Sequence, residues 1–286
     1  MNAVIMAAGT SSRFIPLSCE IPKGLLEVRG EVLVERIIRQ LKEAGVNDIT
    51  IVTGYKANMF SYLRDKYGVD LIFNDDYGRY NNTSSIIRVL ERLDETYVCC
   101  SDNYFKENVF VDRPKESYYA VKYAEGNTGE YCINVDENDY ITGVSVGGCD
   151  AWYMAGQVFF SKSFSAKFRR IMIEEYRNEE TREGYWEDVY IRHLDELPML
   201  SRKYSDEDIF EFDTLDELRV FDNSYINNTR SSILKDICVT NNWDESSLKD
   251  FKKISFNENN MIFQFQYLGN LYQVEWSVNK TNIIQL

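Results

Sequence analysis

Short apolar runs at residues 2–7, 49–53, 69–73 and 97–100, rich in Val, Ile and Tyr, alternate with segments whose apolar residues return every three to four positions. The runs predict buried strands, and the periodic segments predict helices. Over 31–44 the pattern puts Leu33, Ile37, Leu41 and Ala44 on one face, with Gly45 as the stop. A second helix covers 56–67 and ends at Gly68. A third starts after Asn82 or Thr83, either of which suits an N-cap, and turns Ile86, Ile87, Leu90 and Leu93 inward. Strands alternating with helices of this length build βαβ units, hence a parallel sheet covered on both faces.

The rhythm changes after Asp102. "SYYAVKY", "EYCINVDENDYITGVSV" and "YMAGQVFF" read as strands of a mixed or antiparallel extension, with Asp136 to Asp139 as a hairpin turn. Helices follow near 163–177 and 186–196. "DIFEFDTLDELRVFD" then predicts a short strand and a helix capped by Thr214. From about Asn227 the chain is richer in Asn and Ser, carries a short helical pattern, and ends in two strands joined at Leu268-Gly269-Asn270. The expected fold is α/β: a Rossmann-like, mixed but mainly parallel sheet flanked by helices over 1–226, with a small α+β unit over 227–286.

Composition narrows the chemistry. With 44% hydrophobic residues in 286, the chain can bury one large core and a smaller satellite. No stretch approaches the roughly 20 apolar residues that span a bilayer, and no basic region precedes a hydrophobic one at the start, which predicts a cytoplasmic protein without a membrane partner. The net charge of −14 and the lack of a Lys/Arg run argue against nucleic acid. The six cysteines show no CxxC spacing and read as reduced structural thiols. The single histidine, His193, falls in an expected helix with no nucleophile nearby and reads as structural.

Candidate chemistry gathers in the opening "AVIMAAGTSSRFIPLSCEIPKGLLEV", residues 3–28. A loop leaving the carboxyl end of the first parallel strand lies where open α/β sheets bind ligands. Small residues there let backbone N–H groups approach phosphate oxygens. Neither G-x-G-x-x-G nor G-x-x-x-x-G-K-[ST] is present. Arg13 and Lys23 flank the small-residue stretch as two fixed cations, as triphosphate binding and neutralisation of a leaving group require. An ordinary βα turn with a surface arginine is the plain alternative.

The order A-A-G-T-S-S-R-F-x-P, I-P-K-G-L-L-E-V and "ITIVTGY" resembles the nucleotidyltransferases that join a nucleoside triphosphate to a phosphorylated small molecule. One departure is visible: where the family commonly has a second glycine, this chain has Ser11. Through "FNDDYGRYNNTSSI", "SDNYF", "GEYC", "AWYMAG", "YWED" and "FEFDTLDEL", residues 1 to about 225 resemble the phosphocholine cytidylyltransferases of the LicC type. The resemblance implies CTP and phosphocholine as substrates, with Ala7, Ala8, Gly9, Thr10, Ser11, Arg13 and Lys23 at the triphosphate, the two cations being catalytic. Asn82 and Ser85 take the base- and ribose-contacting positions, although capping alone also explains Asn82. Asp102 ends the fourth strand where a Mg²⁺ bridging the reacting phosphates would be held. Asp213 resembles the second metal-binding acid and Glu211 is the weaker candidate.

A quaternary ammonium offers no ordinary hydrogen bond and needs aromatic faces beside a carboxylate. Tyr131 beside Glu130, Trp152 beside Asp150, and Tyr185-Trp186 beside Glu187 and Asp188 supply such pairs, although many rings here must be plain core. The C-terminal "ISFNENNMIFQFQYLGNLYQVEW" resembles the first hairpin of a choline kinase-like domain, without room for that domain's catalytic loop. Its strand edges need covering, by the main domain or by a second chain, which leaves a homodimer open. The competing expectations are a cytidylyltransferase for another amine such as 2-aminoethylphosphonate, a sugar-1-phosphate nucleotidyltransferase, and a catalytically silent nucleotide-binding module.

Overall fold

The computed structural model describes residues 1–110, 113–256, 260–277 and 280–286; Asn257 to Asn259, inside the kinase-like stretch, lie outside them. The chain divides into two compact units, residues 1–9 with 33–211, and residues 10–32 with 212–286. The junction therefore falls inside the opening loop, between Gly9 and Thr10.

The first unit contains β1 (Asn2–Ala7), α1 (Leu33–Glu43), β2 (Ile49–Thr53), α2 (Tyr62–Tyr67), β3 (Asp70–Phe73), α3 (Thr83–Ile86), β4 (Thr96–Cys100) and β5 (Asn103–Phe105). It continues with β6 (Tyr118–Val135), β7 (Ile141–Phe160), α4 (Lys162–Glu175), α5 (Glu179–Glu183), α6 (Trp186–Arg192), β8 (Leu200–Lys203) and β9 (Ile209–Glu211). Seven strands form one sheet in the order β8-β6-β7-β4-β1-β2-β3. β1 runs parallel to β2 and β4, and β2 to β3; β1, β2 and β4 are short apolar runs buried along most of their length, as interior strands of a parallel sheet require, whereas β3 is the half-exposed edge. β7 is antiparallel to β4 and β6, so the sheet is mixed, and β5 pairs separately with β9.

The apolar runs end where turn chemistry stops them. Gly45 and Gly68 follow α1 and α2 at φ of 82° and 66°, the left-handed conformation that closes a helix without a Cβ penalty. The third helix is shorter than its periodicity suggests: after Ile86 the chain tightens to 3₁₀ over Ile87–Arg92, with Val89, Leu90 and Leu93 still buried. The core packs Val4, Val52, Val98 and Val158 of the sheet against Phe164, Phe168, Val189 and Tyr190 of α4 and α6.

The second unit begins with the loop from Thr10, a one-turn helix at Leu17–Glu20 and a two-residue hairpin pairing Glu27–Val28 with Glu31–Val32. It ends with α7 (Leu215–Phe221), α8 (Ser232–Asn241) and an antiparallel sheet of β10 (Leu248–Phe256), β11 (Asn260–Tyr267), β12 (Asn270–Ser277) and β13 (Lys280–Gln285). The expected turn at Leu268-Gly269 is present, with φ of 48° and 83°, as a two-residue hairpin demands. Two strands, β10 and β13, are additional to the pair expected here. Among the described residues no helix is long and apolar enough to cross a membrane.

Candidate active site

In the first unit, β1 delivers Ala7, Ala8 and Gly9 to the carboxyl edge of the sheet. The Ala8 carbonyl accepts the Tyr55 N–H at 3.0 Å. Gly54 makes that approach feasible: a Cβ there would lie 2.7 Å from the Ala8 oxygen and 2.6 Å from Tyr77 Cβ. A Cβ at Gly9 would meet no protein atom within 4 Å, so packing does not account for this glycine. Nothing within "ITIVTGY" marks Gly54 for this task, because its crowding comes from Ala8 and Tyr77, residues distant in sequence.

The rest of the loop belongs to the second unit. Ser11 adopts φ 49° and ψ 41°, the left-handed region. This explains why a glycine suits the position and shows that serine occupies the same conformation at a strain cost. A 3₁₀ turn at Ser12–Phe14 follows, anchored by the buried Phe14 and Ile15. Its exposed Arg13 places Nη1 2.6 Å from Asp213 Oδ2. Lys23 is only 4% exposed, and its Nζ lies 3.5 Å from Asp213 Oδ1. One carboxylate thus pairs with both candidate cations. Thr214 caps α7 beside it by accepting the Glu217 N–H at 3.2 Å, and the Asp213 N–H donates to Glu217 at 2.7 Å.

The first unit also carries an acid-rich cluster. Asp102 follows the end of β4, and Glu211 lies opposite Asn103 in the β5–β9 pair. Burial pushes the Cys100 thiol well above its usual range, and the carboxylates of Asp102, Glu211 and Glu187 push it further. Glu187, near the start of α6, accepts from Asn82 Nδ2 at 3.0 Å and from the Tyr119 hydroxyl at 3.1 Å. Burial raises its pKa to about 7 against the opposing pull of these hydrogen bonds. Asp188 accepts the Tyr131 hydroxyl at 2.9 Å and the Tyr185 N–H at 2.8 Å. The rings of Tyr131 and Tyr185 meet edge to face at 6.4 Å. Two tyrosines and two carboxylates are therefore assembled at one helix start.

Other expected site residues are placed elsewhere. Trp186 is 3% exposed, with its ring packed on Tyr119, Phe160 and Phe168, so its surface is spent on the core. Trp152 meets the edge of Tyr123 at 5.4 Å and lies under the Lys203 ammonium at 5.5 Å. Glu130 lines a separate cavity of about 450 Å³ with Tyr123, Tyr153 and Asp206. Ser85 is buried, and its hydroxyl accepts from the buried Asn74 at 3.1 Å. Asn82 stands at the N-cap of α3 without capping it; its Oδ1 accepts the Trp186 N–H at 2.7 Å and so caps α6 instead. Tyr119 escaped the sequence reading because a Tyr in an alternating strand looks like core. His193 is held between Glu175 at 3.1 Å and Glu196 at 3.2 Å.

For Mg²⁺, the chemistry of the donor set is the test. Asp102 and Glu211 offer hard oxygens, and the strand pairing sets Glu211 opposite Asn103, the residue next to Asp102. Among the described residues no group of three or more His, Cys, Asp or Glu forms a cage. A Mg²⁺ ion that shares its shell with substrate phosphates and waters needs only one or two carboxylates, so these residues fit.

Residues 3–117 match the MobA-like NTP transferase domain. The chain is 34% identical to 2-aminoethylphosphonate cytidylyltransferase of Lancefieldella rimae, over 80% of this chain and 95% of that one. The chain belongs to the cytidylyltransferases. This cytidylyltransferase is also 32% identical to choline-phosphate cytidylyltransferase of Streptococcus pneumoniae, over 77% of this chain and 96% of that one. The solved structure of the CTP:phosphocholine cytidylyltransferase LicC from Streptococcus pneumoniae superimposes with a TM-score of 0.75 at 32% identity, covering 78% of this chain and 98% of that chain. The mainly parallel sheet flanked by helices is thus the nucleotidyltransferase fold, with an additional antiparallel sheet at the C-terminal end. A family of enzymes disfavours the silent binding module.

Proposed function

We propose that this cytidylyltransferase transfers CMP from CTP to phosphocholine, giving CDP-choline and pyrophosphate with Mg²⁺. The observation that carries the substrate is the Tyr131–Tyr185 ring pair beside Glu187 and Asp188. Ring faces and carboxylates together attract a cation that makes no hydrogen bonds. A sugar would instead call for amides and acids arranged around hydroxyls. The curated choline-phosphate relatives support the same reading.

The chemistry needs no general base. A phosphate oxygen of phosphocholine, already anionic, attacks the α-phosphorus of CTP; the bond from that phosphorus to the bridging oxygen breaks, and pyrophosphate leaves with its electron pair. Positioning and charge neutralisation supply the catalysis. Arg13 and Lys23 bind the triphosphate and take up the charge of the departing pyrophosphate. Asp102 and Glu211 would hold Mg²⁺, which would offset charge on the reacting phosphates. Asp213 keeps both cations paired until a nucleotide competes for them. Gly9 leaves room for a phosphate oxygen against the backbone. The relevance of Asn82 is indirect, since it orients Glu187.

The test is phosphorus NMR of the purified protein with Mg²⁺ and CTP, offering phosphocholine, phosphoethanolamine, 2-aminoethylphosphonate and glucose-1-phosphate separately. A new diphosphate signal with pyrophosphate in the phosphocholine tube alone supports the reading. Turnover only with 2-aminoethylphosphonate would assign Glu187 and Asp188 to a primary ammonium and overturn the role given to the rings.

A further inference from the structure

The loop of residues 10–32 is built into the same compact unit as the C-terminal segment. The joins are specific. Glu20 accepts the Ser232 N–H at 2.8 Å and the hydroxyls of Ser231 and Ser232 at the start of α8. The Arg29 N–H donates to Asp222 at 2.7 Å, and the Tyr225 hydroxyl donates to the Glu27 carbonyl at 2.7 Å. The fourth join differs in kind: the ammonium of Lys253, on β10, donates to Ser12 Oγ at 2.8 Å.

Ser12 opens the turn that carries Arg13. Arg13 and Lys23 both share the carboxylate of Asp213, whereas among the described residues the Lys253 side chain has the neutral Ser12 hydroxyl as its partner. Its charge is not offset by that contact, and the side chain is exposed. In a chain with net charge −14, an uncompensated ammonium fastened to this loop is a local attraction for an anion. The hydroxyl that accepts from Lys253 retains its own proton to donate to a phosphate oxygen. We propose that Lys253 is a third cation of the triphosphate site, binding the terminal phosphates of CTP together with Ser12. This rests on the nucleotide-binding role proposed above for the loop.

Calorimetry on the full chain with Mg²⁺ and CTP, with pyrophosphate, and with CMP tests it. Lys253→Met keeps the aliphatic stem and removes the charge. It is expected to weaken CTP and pyrophosphate binding about fivefold, the upper range for an exposed ionic contact, and to leave CMP binding unchanged. Lys253→Arg is expected to restore most of the loss, and Lys249→Met, on the same strand, to match the wild type. Unchanged CTP affinity in Lys253→Met overturns the proposal. Equal losses for CTP and CMP, or a lowered melting temperature that Arg does not restore, also overturn it in favour of loop support alone. Failure of the wild type to bind CTP defeats the parent reading, a separate result.

Discussion

Asn82 donates to Glu187 through its Nδ2 at 3.0 Å while its Oδ1 receives the Trp186 N–H at 2.7 Å, so one amide both orients an acid and caps the helix that bears it. Asn82→Ala removes both contacts. Losing the donor lets burial raise the Glu187 pKa further. Loss of a cap costs about 1 kcal/mol. The expected outcome is a lower melting temperature and a raised KM for the amine substrate, with the KM for CTP nearly unchanged; steady-state kinetics with each substrate varied in turn check this.

Glu187 carries the pH dependence. With a folded pKa of about 7, it gains its negative charge between roughly pH 6 and 8, so cation affinity rises over that range. Choline is the right ligand for this test, because it lacks a titrating phosphate. Its binding is expected to strengthen from pH 6 to 8, and Glu187→Gln to flatten the profile. The same shift acts oppositely on stability: the folded state holds the proton more tightly than the unfolded chain. That contribution is present below the unfolded value near 4.5 and is lost as pH rises to about 7. Glu187→Gln should therefore raise the melting temperature relative to wild type more at pH 8 than at pH 5.

Ser11 holds a left-handed conformation that costs a non-glycine residue about 1 kcal/mol. Ser11→Gly is expected to relieve this strain and keep activity, and Ser11→Val to destabilise. Chemical denaturation of the two variants measures the difference.

Gly54 offers the reverse case. Gly54→Ala places a methyl 2.7 Å from the Ala8 oxygen and 2.6 Å from Tyr77 Cβ, and overpacking of this kind costs about 1–3 kcal/mol. Because the displaced backbone carries Ala8 and Gly9, CTP turnover should fall together with stability.

Lys23→Ala removes a buried ammonium proposed to meet the triphosphate. A loss of about 10²-fold or more in kcat is expected, with circular dichroism unchanged. Near-normal turnover would remove Lys23 from the mechanism.

The interior parallel strands were legible because a buried strand in such a sheet is a short apolar run, and β1, β2 and β4 are of that kind, while β3 is a half-exposed edge. The opening loop was legible from its small residues and its two cations. Strand β10 was not: Lys249, Asp250, Lys252 and Lys253 give it the look of a solvated stretch, and it is an edge strand exposed along most of its length. The aromatic partners divided for a reason adjacency cannot express. Tyr185 stands at the cap of α6 and stays exposed, while Trp186, one residue on, turns into the core. The contact of Ser85 was not legible, because nothing local reveals that Asn74 is buried within reach of its hydroxyl.

The second unit is assembled from two pieces separated in sequence by residues 33–211. During synthesis, the segment bearing Arg13 and Lys23 must wait for the whole of residues 33–211 before Asp213, Asp222, Ser231 and Lys253 exist to receive it. Non-local closure of this kind is slow and leaves the nascent loop without its partners. The cations proposed to meet the triphosphate are thus made early and seated late, once the residues from 212 onward have joined them in one unit.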